Sequence, residues 1–75
     1  MTHEIYTNAK QLVKSQAVEL KRTNTDKPYI RYELNNLCDE MCRQFGWYAM
    51  KETISEKRAN LYSKWLASFT ATLHP

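Results

Sequence analysis

A chain of 75 residues with 43% hydrophobic and 25% charged side chains holds at most one small domain, and its net charge is only +3. Short chains bury a smaller share of their surface than long ones, so such a domain is marginal alone and gains from a partner or from self-association. Its one glycine, Gly46, argues against phosphate-binding loops, dinucleotide folds and tight hairpins, all of which need residues that accept positive φ.

Membrane and export signals are also missing from the pattern. Met1 to Lys14 mixes polar and apolar residues, unlike a secretory leader, and no apolar run approaches the roughly 20 residues of a membrane span. The expectation is a soluble, cytoplasmic protein formed as a single helical domain over residues 1–75.

The first predicted element is an amphipathic helix over about residues 3–22. At about 100° per residue, Ile5, Ala9, Leu12, Val13, Ala17 and Leu20 fall on one side. Lys10, Lys14 and Lys21 form a narrow stripe beside that arc. The polar run Thr23 to Pro28 then closes the helix, with Asp26 or Thr25 as the next N-cap and Pro28 tolerated in a first turn.

A second helix is predicted over about 28–45, with Ile30, Leu34, Leu37, Cys38, Met41 and Phe45 facing inward. Asp39 and Arg43 are four apart with the acid first, the favourable order for a pair on a helix. Gly46 stands where a left-handed C-terminal cap belongs. A third helix over about 48–73 follows, with Thr53 as an alternative N-cap answered by Glu56. Ile54, Leu61, Tyr62, Trp65, Leu66, Phe69 and Leu73 supply its apolar arc. The predicted architecture is an all-α, three-helix antiparallel bundle. The alternative is a helical hairpin that dimerises, its second and third helices fused through Gly46.

Chemistry is hard to place on this chain. Cys38 and Cys42 share a helix face, but a zinc site needs two more ligands and the only histidines, His3 and His74, are at opposite ends. Cysteines four apart on a helix are also too far apart to bridge, so they read as reduced thiols at the edge of a core. Asp39 and Glu40 splay apart, and Glu52 with Glu56 reads as a solvated surface. No catalytic constellation emerges, so no enzyme activity, metal or cofactor is expected.

Binding surfaces are better represented. Tyr29, Tyr32, Asn36 and Arg43 cluster opposite the apolar side of the second helix, a composition suited to protein recognition. Arg58 falls within the apolar arc of the third helix, where it either packs its stem and frees its head or pairs with Glu33 or Glu40. With Tyr62 and Trp65 it would otherwise form an interface anchor, since Trp, Tyr and Arg dominate binding hot spots. The leading expectation is a small accessory or regulatory protein that binds another protein or complex, with a homo-oligomer as one form. The alternative is a nucleic-acid binder using Lys10, Lys14, Lys21, Arg22, Lys27 and Arg31 along a phosphate backbone, the tyrosines stacking on bases. A third is a subunit lending structure to a partner enzyme.

Overall fold

Apolar residues recurring every three or four positions must be covered on one side, and three such segments cover one another. The computed structural model describes residues 3–75, His3 by its backbone alone. Three helices make up the fold: α1 (His3–Thr23), α2 (Lys27–Met50) and α3 (Glu56–Thr72), with no strand among the described residues. The result is the predicted three-helix bundle. No described helix is long and apolar enough to cross a membrane.

The core is narrow and continuous. Ala9, Val13, Ala17 and Leu20 from α1 meet Ile30, Leu34, Cys38, Met41 and Phe45 from α2 and Ala59, Tyr62 and Leu66 from α3. Of the inward residues expected on α1, Leu12 instead opens to solvent. On α3 the buried stripe is Ala59, Tyr62, Leu66 and Thr70. Tyr62 and Leu66 of the predicted arc are buried, while Leu61, Phe69 and Leu73 are half-buried and Trp65 is exposed, so the buried side is rotated toward Ala59 and Thr70. Small side chains explain the rotation. Ala59, Ser63 and Thr70 let α3 approach α2 closely, and the Cys42 thiol reaches the Ser63 carbonyl at 3.8 Å. Thr70 satisfies its buried hydroxyl by donating to the Leu66 carbonyl at 2.8 Å.

The first connection behaves as its residues suggest. Asn24 closes α1, its side-chain amide donating to the Leu20 carbonyl at 3.2 Å. Asp26 is the N-cap of α2 and Pro28 lies in the first turn, although the Asp26 side chain makes no capping hydrogen bond.

The second connection departs from expectation. α2 does not stop at Gly46 but continues to Met50, and Gly46 keeps helical backbone angles. The left-handed residue is Glu52, with φ of 60°. Its N–H donates to the Ala49 carbonyl at 3.0 Å and the Thr53 N–H to the Tyr48 carbonyl at 2.9 Å, the paired bonds of a Schellman ending. The extra turn packs Ala49 against the core, and the turn itself delivers Ile54 into it. Glycine in a helix interior costs about 1 kcal/mol, an amount this added packing offsets. α3 starts neither near Tyr48 nor after Thr53. Ser55 is its N-cap, accepting from the Arg58 N–H at 3.0 Å. The break at residues 51–55 also removes the fused-rod hairpin.

Candidate protein-docking surface

Extension of α2 past Gly46 changes its outer side. Tyr29, Tyr32, Asn36 and Arg43 do lie together opposite the buried stripe, and all four are exposed. At helical spacing the same line now runs on through Trp47 and Met50. Tyr32 is 62% exposed, Trp47 60% and Met50 81%. The stripe from Tyr29 to Met50 is about 30 Å long at 1.5 Å per residue. Beside it a groove of ≈ 540 Å³ opens between α2 and the start of α3, lined by Gly46, Trp47, Ala49, Met50, Ala59 and Asn60.

Electrostatics at the middle of this stripe are unsettled within the chain. Asp39 and Arg43 are both exposed, and the pair expected between them does not form. Among the described residues the ion pair is Arg22 with Glu19, at 2.7 Å. A second groove of ≈ 510 Å³, between α1 and α2, is bordered by Leu12, Glu33, Leu37, Asp39, Glu40 and Arg43. The outer side of α2 therefore carries two exposed acids and one exposed guanidinium flanked by tyrosines on one end and by tryptophan and methionine on the other.

Arg58, Tyr62 and Trp65 are also brought together, but of the three only Tyr62 is buried. Tyr62 is fully buried, so it is a core residue and not an exposed anchor. Its ring stacks on Tyr6 at 5.3 Å and meets the edge of Phe45 at 5.5 Å, tying the three helices together. Trp65 packs edge-on against Tyr6 at 5.8 Å and remains 43% exposed. The Arg58 guanidinium lies 6.0 Å from the Tyr62 ring centre. The alternative of an ion pair with Glu33 or Glu40 is not formed, and Arg58 is half-buried.

The basic residues are dispersed among different tasks. Lys10 sits 5.4 Å from the Tyr6 ring centre and 5.7 Å from that of Phe69, half-buried in the seam between α1 and α3. Arg22 is engaged by Glu19, and Arg31 donates to the Pro75 carbonyl at 3.1 Å. Next to that contact, His74 Nε2 and Asn35 Oδ1 lie 3.0 Å apart. Lys14, Lys21 and Lys27 stand exposed.

Cys38 and Cys42 are free thiols. Burial pushes the Cys38 thiol up from its ordinary range, against the lowering effect of a hydrogen bond with Thr70, so it stays protonated and a poor nucleophile at neutral pH. Among the described residues no three His, Cys, Asp or Glu side chains gather as metal ligands would. The side chain of His3 lies outside the described residues.

The sequence reading missed Trp47, Met50 and Asp39 as members of the outer stripe. The signal was available: at three- and four-residue steps Trp47 and Met50 follow Arg43 on the side that Tyr29, Tyr32 and Asn36 occupy. Treating glycine as an obligatory stop concealed it. Comparison of the chain with protein-family models, curated protein sequences and solved structures gives no match.

Proposed function

We propose that this protein is a non-enzymatic binding module, an adaptor or regulator that docks through the outer side of α2. The observation that carries this reading is the continuous exposed line Tyr29, Tyr32, Asn36, Arg43, Trp47 and Met50. Isolated exposed apolar residues are ordinary on protein surfaces. Tyrosine, tryptophan, methionine and arginine aligned on one helix have the composition of interface cores, where these types are enriched. Three of the six bases in the competing nucleic-acid reading are engaged within the chain, which leaves too small a set for strong phosphate tracking.

The test compares the intact chain with a Tyr32→Ala, Trp47→Ala double variant as immobilised bait, with and without nuclease. The wild-type chain should retain a protein partner, further copies of itself included, after nuclease treatment. The variant should lose it with unchanged circular dichroism. Equal retention by both chains, or loss of the bound material on nuclease treatment, would overturn the reading.

A further inference from the structure

Nothing packed around Gly46 requires the side chain to be missing. A Cβ built there meets nothing within 4 Å, its backbone is helical, and it faces solvent on the best-exposed side of the longest helix. The residues sharing that side recur with a strict alternation of three and four: Tyr29, Tyr32, Asn36, Asp39, Arg43, Gly46, Met50. Such spacing keeps these residues on one line of the helix, along which a second helix can lie, with aromatic and apolar side chains toward the ends and charged ones at the centre.

We infer that the occupant of this seam is a second copy of the chain, its α2 laid antiparallel across a two-fold axis at the level of residue 41. This rests on the outer side of α2 being the docking surface. The argument for a second copy is that one register matches the seam residues from Tyr32 to Met50 at once. Opposite-charge residues meet at the centre, where Arg43 faces Asp39 of the second copy and the symmetry repeats the pair. Asn36 then stands over Gly46 of the second copy, where the missing side chain allows the helices to approach. Met50 meets Tyr32 of the second copy at each end, and Trp47 flanks the contact.

A parallel arrangement sets Arg43 against Arg43 and Asp39 against Asp39, an unfavourable match. A two-fold pairing is the usual closed form for like chains. Buried area does not by itself set affinity; a single-helix contact with two charge pairs at its centre is expected to give a reversible dimer.

Sedimentation equilibrium of the intact chain from a few micromolar to near millimolar tests this. Wild type should dimerise. Arg43→Asp and Asp39→Arg should each weaken association about tenfold or more, because each sets like charges across the axis twice. The double variant Asp39→Arg with Arg43→Asp should restore it to within about threefold. Gly46→Leu should abolish dimerisation while raising the thermal midpoint, since leucine favours the helix but blocks Asn36 of the second copy.

A monomer throughout the range, or a double variant that fails to recover, overturns the inference. A monomer that captures a different protein through Tyr32 and Trp47 overturns self-pairing and leaves the docking surface standing. A dimer indifferent to Asp39, Arg43 and Gly46, with no partner lost on changing Tyr32 and Trp47, removes both.

Discussion

Tyr6, Phe45, Tyr62 and Trp65 meet where the three helices converge, whereas Tyr29, Tyr32 and Trp47 stand exposed on the outer side of α2 and make no ring-to-ring contact among the described residues. The two groups have similar composition and different surroundings, although Trp65 at the edge of the first is as exposed as Tyr29 in the second. Rings in the first group have each other as partners, and their contacts set how the helices sit. Rings in the second group are held in place by a rigid helix and face water. Aromatic content alone therefore says little about function; position on the helix decides which group serves stability and which is open to association.

Substitutions should separate the two groups by size of effect. Tyr62→Ala should be the most damaging, destabilising by about 3–5 kcal/mol, enough to unfold much of a marginal domain; urea unfolding followed by circular dichroism measures it. Trp65→Ala should cost about 2 kcal/mol, since only about half of the side chain is covered. Such an intermediate value would place Trp65 at the rim of the inner group. A loss below about 0.5 kcal/mol, typical of surface sites, would move it to the outer group.

Gly46→Ala should stabilise the chain by about 1 kcal/mol, because a solvent-facing helix interior prefers alanine and the added Cβ meets open space. Glu52→Gly should stabilise by a similar or smaller amount, about 0.5–1 kcal/mol, by relieving a left-handed side-chain-bearing residue. Thermal midpoints of both variants and their combination check this, and the two gains should add. Smallest of all, Tyr32→Ala with Trp47→Ala should change unfolding free energy by less than about 0.5 kcal/mol per site. A larger loss would show that the outer rings support the fold after all.

Much of the architecture was legible because periodicity and burial are both local consequences of helix geometry. Ile30, Leu34, Cys38, Met41 and Phe45 lie inward as their spacing requires, and Asp26 with Pro28 starts α2 as their chemistry suggests. What could not be read locally was a competition. Glycine at position 46 favours a stop by its own propensity, but Ala49 and Ile54 gain core contact only if the helix runs on. Tertiary packing decided the matter and moved the left-handed residue to Glu52. The rotation of α3 has the same origin: Leu61 and Trp65 are as apolar as the buried Tyr62 and Leu66, and the small residues Ala59, Ser63 and Thr70 decide which part of the wide arc turns toward α2. Within the candidate surface, Tyr29, Tyr32, Asn36 and Arg43 were identifiable from spacing. Trp47 and Met50 depended on the helix boundary, and Tyr62 on which way α3 turned.

The two thiols between α2 and α3 supply a reporter that needs no engineering. Cys38 is buried and held protonated, and Cys42 is half-covered, so an alkylating reagent reaches Cys38 only after α3 lifts from α2. Its rate of labelling, relative to that of a denatured control, gives the free energy of that separation directly. Following it against protein concentration would show whether events on the far side of α2 tighten the bundle.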